Sequence, residues 1–207
     1  MLAYPVSSKP INYSKPVFIQ PKLDGVRCLI QYDSGVVTAY SRTGKVWKNI
    51  EHITLNLYKF FDKHPNVVLD GELYNHDFKD DFESIISMVR KTKPTDEDRS
   101  ISEKHVQFHC YDIVNKAVFH LRDEWLTGNL QSNYCVKLVP TNQVFREDDA
   151  RVYHARNLAA GYEGSIVRLD TPYQCKRSHS LRKFKDFSDA EANIVGYEEG
   201  KGKRAGT

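Results

Sequence analysis

The sequence predicts an α+β fold of largely antiparallel sheets flanked by helices, and three observations support that class. Short alternating apolar and polar runs recur along the chain, segments with helical spacing are interleaved among them without regular βαβ alternation, and Asp33-Ser34-Gly35 is suited to a tight turn between adjacent antiparallel strands. With 207 residues, 40% hydrophobic and 28% charged, the chain can bury a core without disulfides or a structural metal. One domain is the expectation, with room for a cleft between two subdomains.

Residues 17–41 read as two or three strands broken at that turn. Ile53, Leu57, Phe60 and Phe61 fall at helical intervals over 51–63, and Pro65-Asn66 ends the segment before a buried strand beginning Val67-Val68-Leu69. A second helix is predicted over 80–91, acidic in its first turn and ending on Arg90-Lys91, as the helix dipole favours. The polar, Pro-containing stretch 93–98 reads as an exposed loop. A strand at 105–114, a helix near 120–132 and a strand at 136–140 follow. A helix over 147–160 ends at Gly161 as a C-cap. Three strand-like runs remain, at 165–169, 181–184 and 192–197, and residues 200–207 resemble a linker because they have almost nothing to bury.

Cys28, Cys110, Cys135 and Cys175 are widely spaced without a CxxC pair, so reduced thiols are expected. No signal peptide opens the chain and no apolar run approaches the length of a membrane span, so an intracellular protein without a membrane partner is the expectation, and a monomer is expected alongside it. The net charge is only +3, but residues from Arg151 onward carry 11 Lys/Arg against 7 Asp/Glu. That basic quarter suits a phosphate-bearing partner and equally suits an ordinary solvated surface.

Four short motifs carry candidate chemistry. Lys22-Leu23-Asp24-Gly25-Val26-Arg27 places an amine, a carboxylate, a glycine and a guanidinium within six residues at a strand edge. A lysine attacks phosphorus only when deprotonated, and its unperturbed pKa is about 10.4, so burial or nearby positive charge must lower it. Asp24 could hold a metal ion and Arg27 a phosphate. Asp70-Gly71-Glu72 puts two acids beside a glycine after an apolar run. Glu163-Gly164 does the same before Ser165-Ile166-Val167-Arg168, where a hard oxygen ligand suits Mg²⁺. In Lys183-Phe184-Lys185, strand alternation points both ammonium groups to one face, where an anion would relieve their repulsion. On the strand holding Phe108 and Cys110 on one face, Tyr111 points to the other and could stack on a base. Each motif alone is also compatible with a charged turn, a basic sheet edge or a core aromatic.

Together, in this order, they resemble the covalent nucleotidyltransferase superfamily of ATP-dependent ligases and mRNA capping enzymes, over about Gln20 to Tyr197. Within it the chain looks most like the adenylation domain of small viral, phage or bacterial DNA ligases, through the run from Lys183 to Tyr197 and through Ser41-Arg42-Thr43-Gly44, which resembles a phosphate-contacting ligase segment. The resemblance implies an ATP-grasp-like nucleotidyltransferase fold over 1–198, with a nucleotide cleft. ATP is preferred because Arg27 fits that pattern and only 21 residues precede Lys22. By resemblance, Lys22 carries AMP. Lys183 and Lys185 act on phosphate, Tyr111 stacks on adenine, Glu72 binds ribose and contributes to metal binding, and Gln20 helps read the base. Asp24 and Glu163 organise Mg²⁺ or Mn²⁺, while Arg42, Arg168 and Arg177 meet nicked duplex DNA.

The family's sixth motif lies in a C-terminal OB-fold domain, so residues 199–207 are expected to lead toward such a domain. The 207 residues alone are then expected to adenylate themselves poorly, yet to seal a nick already carrying AMP. A capping guanylyltransferase transferring GMP, an ATP-dependent RNA ligase and a catalytically dead nucleic-acid-binding module are the alternatives.

Overall fold

Two five-stranded sheets organise the chain in a computed structural model that describes residues 1–186, Val195, Gly196 and Glu199. In order, the elements are β1 (Leu2–Pro5), β2 (Val17–Lys22), β3 (Val26–Asp33), β4 (Val36–Ser41), α1 (Glu51–Asn56), α2 (Tyr58–Lys63), β5 (Val68–Tyr74), α3 (Phe82–Val89) and α4 (Asp96–His105). They continue with β6 (Gln107–Ile113), α5 (Phe119–Asn129), β7 (Val136–Leu138), β8 (Asn142–Val144), α6 (Glu147–Ala159), β9 (Gly164–Leu169) and β10 (Arg177–Phe184). The first sheet runs β1-β10-β9-β2-β8 and the second β4-β3-β5-β6-β7; among the described residues only β1/β10 and β6/β7 pair in parallel. The α+β expectation is met.

The β3–β4 turn forms because Ser34 (φ 49°) and Gly35 (φ 91°) both take positive φ, as two-residue hairpin turns require. Gly161 closes α6 at φ 86°. The helix expected over 51–63 divides at Leu57, whose N–H is shared between the Ile53 and Thr54 carbonyls, tightening one turn while its side chain stays buried. The stretch read as a loop at 93–98 instead begins α4. Thr95 Oγ1 accepts from the Asp98 N–H at 3.2 Å and the Asp98 carboxylate accepts from the Thr95 N–H at 3.0 Å, a capping box with Asp in place of the usual Glu. Asp70-Gly71-Glu72 lies inside β5 rather than after it. The strand read at 181–184 starts at Arg177, and β1 and β8 were not expected. The run 192–197 and the 199–207 linker fall outside the described residues as elements.

The larger core lies under the second sheet, where Ile30, Leu69 and Phe108 pack against Ile53, Phe61, Val89 and Leu126 from the helices. A smaller core joins Val17, Ile19 and Val167 of the first sheet to Ala150 of α6. Between the two lies a third cluster of Leu23, Tyr74 and Val139, edged by Tyr111 and Tyr162. Cys28, Cys110 and Cys135 are free and buried, whereas Cys175 is exposed. No helix among the described residues is long and apolar enough to cross a membrane.

The β5/β6 ladder is irregular in one informative way. Asp70 pairs with Asp112 and Gly71 with Cys110, so Tyr111 is an extra residue on β6. Such a bulge re-aims a side chain. At Gly71 a Cβ would press on the His109 carbonyl and the Phe108 ring. Gly71→Ala is therefore expected to cost about 1–3 kcal/mol in urea unfolding. Gly128→Ala, in α5 with open space around it, is expected to leave stability unchanged or raise it by about 0.5–1 kcal/mol.

Candidate functional site

Three neighbouring strand ends of the first sheet bring the basic and acidic motifs together. Lys22 ends β2 opposite Gly164, and Phe184 ends β10 opposite Ser165, so Lys22, Glu163 and Lys185 meet at one edge. The Glu163 carboxylate takes both ammonium groups, Lys22 on Oε2 and Lys185 on Oε1. Gly164 makes this possible: at φ 149° it adopts a backbone that other residues rarely reach, and a Cβ would collide with the Phe184 carbonyl. Phe184 turns the other way and stacks on His154 with ring centroids 3.8 Å apart. His154 also bonds Ser165 Oγ and Asp186 Oδ1, each at 3.1 Å. Phe184 is thereby held away from the Lys185 ammonium that reaches Glu163, and Lys183 lies opposite Ile166 of β9.

The second sheet supplies the facing wall. Glu72 on β5 and the bulged Tyr111 on β6 line a cavity of about 130 Å³ with Gln20, Lys22, Ile166 and Arg168. The Tyr111 hydroxyl donates to Glu72 Oε2 at 3.4 Å. Burial pushes the Lys22 ammonium below its ordinary pKa, while the charges of Glu72 and Asp24 pull it back up. The Glu163 ion pair likewise favours the protonated lysine. Burial lowers Lys185 as well, helped by the charge on Lys22. Glu72 is raised to about 8, first by burial and then by repulsion from Asp70, against the pull of Lys22 and Arg27. A lysine whose pKa burial lowers, beside a carboxyl that resists ionisation, suits an electrophile that brings its own negative charge.

A second, open groove of about 700 Å³ adjoins the cavity through Glu72. Exposed Arg42, Lys45, Lys48, Arg90 and Lys91 project along it. Arg42 sits in the turn that follows β4, where the Ser41 N–H donates to the Lys45 carbonyl at 2.7 Å. A row of exposed cations along an open groove is an electrostatic footprint that suits a phosphate backbone.

A family model described as ATP dependent DNA ligase domain matches residues 1–185. The chain belongs to that family. The DNA ligase of Enterobacteria phage T6 is 28% identical over 243 residues, an alignment covering 95% of this chain and 50% of that protein. A DNA ligase of African swine fever virus is 31% identical over 203 residues, covering 88% of this chain and 45% of its own. The solved structure named Pmar-Lig_PreS3 superposes with a TM-score of 0.77 over 99% of this chain and 50% of its own, at 23% identity, which supports the fold. This ligase domain therefore spans about half the length of the curated relatives it matches.

Within the ligase domain, several residues read from the sequence have other occupations. Arg168, expected to meet DNA, is 4% exposed and donates to Gln20 Oε1 and Asp112 Oδ2, so its guanidinium belongs to the cavity wall. Arg27, expected to contact nucleotide or phosphate, forms a two-point pair with Asp70 at 2.9 Å and donates to the Tyr173 hydroxyl at 2.8 Å. Gln20 is 2% exposed, and both hydrogens of its amide are used within the protein. Arg177 lies at the far end of β10 from Lys183, donates to the Ala3 carbonyl and borders neither cavity nor groove. Among the described residues no three His, Cys, Asp or Glu side chains are grouped tightly enough to hold a metal alone. The donor set still suits Mg²⁺, because Glu72, Asp24 and Glu163 offer hard oxygens near Lys22, and an ion bound mainly by nucleotide phosphates needs only one or two carboxylates.

Sequence reading missed Lys45, Lys48, Arg90 and Lys91, which lie in turns or at a helix end, and only the fold lines them up. It also missed the acids that neutralise the buried arginines. Asp70 and Asp112 did carry a signal, since each is an acid embedded in an apolar run.

Glu72 yields a pH-dependent expectation. Between its ordinary value of 4.5 and about 8, the folded chain keeps a proton that the unfolded chain has released, so this group lowers stability progressively as pH rises through that window. Relative to the parent protein, Glu72→Gln should gain at least about 1 kcal/mol between pH 4.5 and pH 8 in urea unfolding. An equal difference at both pH values would count against the assignment.

Proposed function

We propose that this chain is the catalytic part of an ATP-dependent DNA ligase in which Lys22 receives AMP and passes it to the 5′-phosphate of a nick in duplex DNA. The observation that carries this reading is the placement of Lys22: half-buried, depressed in pKa and paired with a carboxylate it shares with Lys185, at the mouth of an aromatic-walled cavity. Family membership supports the choice of ATP over other phosphoryl donors and of DNA over RNA.

In the first step Lys22 Nζ attacks the α-phosphorus of ATP, forming the N–P bond as the bond to pyrophosphate breaks. Lys22 must first leave Glu163 and lose its proton, which its burial favours. Lys183 and Lys185 face the charge that builds on the phosphate oxygens, where fixed cations stabilise the transition state. Tyr111 covers the base and Glu72, protonated or hydrogen-bonded, meets the ribose hydroxyls. When bound through Glu163 and neighbouring carboxylates, Mg²⁺ would add further neutralisation of phosphate charge. In the second step the DNA 5′-phosphate displaces Lys22 from AMP, and in the third the 3′-hydroxyl displaces AMP. The groove of Arg42, Lys45, Lys48, Arg90 and Lys91 would hold the strand for both.

Incubation with α-labelled ATP and Mg²⁺ should attach one AMP, slowly in these 207 residues alone, visible as an intact-mass increase that maps to Lys22. Lys22→Ala should abolish it, and Lys183→Ala or Lys185→Ala should slow it by about 100-fold or more, as loss of one fixed charge at a transition state does. The labelling rate should climb with pH and level off below the ordinary lysine value, because burial lowers the pKa of Lys22. Labelling that survives Lys22→Ala, or that proceeds with GTP alone, would sink the proposal.

A further inference from the structure

Gln20 lies two residues before Lys22 and borders the same small cavity as Glu72 and Tyr111. Neighbours of fixed polarity set the orientation of its amide. Arg168 Nε, which can only donate, lies 2.6 Å from Gln20 Oε1. The Tyr111 carbonyl, which can only accept, lies 3.2 Å from Gln20 Nε2. Thr141 Oγ1 lies 2.9 Å from Nε2 and gives its own hydrogen to Asp123 Oδ1 at 2.7 Å, so it too accepts from the amide. Both amide hydrogens are spent, and the oxygen keeps one lone pair. Turning the amide over would set donor against donor at Arg168 and acceptor against acceptor at Tyr111.

Arg168 is itself fixed. Its Nη1 donates to Asp112 Oδ2 at 2.7 Å, and its guanidinium lies 5.3 Å from the centre of the Tyr111 ring and 4.9 Å from that of Phe119. Arg122 grips the same carboxylate at 2.8 and 3.1 Å, so Asp112 stays paired whatever happens at position 168.

We infer that Arg168, acting through Gln20, is the positioning residue that selects adenine over guanine in this cavity. The inference rests on the reading of the cavity as the ATP site. A Gln20 locked with its oxygen as the remaining free partner is an acceptor and cannot become a donor. Adenine carries an amino donor at N6, and guanine carries an acceptor oxygen at the same place. An acceptor facing an acceptor in a buried site loses a hydrogen bond without water to replace it, which disfavours guanine by about 10- to 100-fold.

The test gives the 207-residue protein α-labelled ATP or GTP with Mg²⁺, and measures non-covalent binding of each nucleotide by equilibrium dialysis. The wild type should prefer ATP. Arg168→Met should lower the ATP-to-GTP ratio by about tenfold or more in both readouts, and Thr141→Val, which frees only one amide hydrogen, should lower it less. Gln20→Leu should erase the preference, and adding Arg168→Met to it should change the ratio no further. An unchanged ratio in folded Arg168→Met, or equal loss of both nucleotides, overturns the inference. Should Arg168→Met fail to fold, an unchanged ratio in Gln20→Leu does so instead. A wild type that neither binds nor is labelled by either nucleotide overturns the nucleotide site itself, a result distinct from a flat ratio.

Discussion

Asp70 and Asp112 face each other across the β5/β6 ladder, and both are buried. Two adjacent carboxylates out of water are tolerable only if each is paired and hydrogen-bonded. Arg27 of β3 closes on Asp70 with two bonds, joined by the Tyr173 hydroxyl, while Arg122 of α5 and Arg168 of β9 close on Asp112. These partners come from both sheets and from a helix. The need to neutralise one pair of acids therefore draws the second sheet, the first sheet and α5 to a common point. The small cavity lined by Gln20, Glu72 and Tyr111 is what remains beside that point.

The same geometry explains why the lysines and the arginines sit at different depths. The arginines lie where burial is deepest, and the lysines lie at strand edges, Lys22 as the last residue of β2 and Lys185 just past the end of β10, where solvent still reaches. A lysine buried as fully as Arg168 would lose its charge outright, and one on an open surface would keep its proton at any ordinary pH. Lys22 lies between these limits. The glycine that opens β9 and the bulge in β6 then bring Glu163 and Tyr111 to it from opposite sides.

Much of this was legible in the residues because backbone requirements leave marks. The turn at Ser34-Gly35 and the cap at Gly161 each follow from local conformation, and Lys22 was read correctly at a strand edge, whereas Asp70-Gly71-Glu72 proved to lie inside β5. What could not be read depended on partners distant in sequence. Arg168 looks like a surface cation until Gln20 and Asp112, 148 and 56 positions away, are seen to claim it. Arg27 is hidden from sequence reading in the same way by Asp70. The start of α4 was missed for a local reason: Thr95 and Asp98 form a capping box in a stretch whose proline and charges also suit a loop. The short edges β1 and β8 have too few residues to show a period.

The described centre thus divides its cations by chemical type. Guanidiniums, which stay protonated throughout the biological range, form the frame, and ammonium groups, which can be tuned, stand at the opening. Acidity therefore bears first on the lysines, whose pKa burial lowers, while the guanidiniums keep their charge. The walls thus stay charged under conditions that alter the opening.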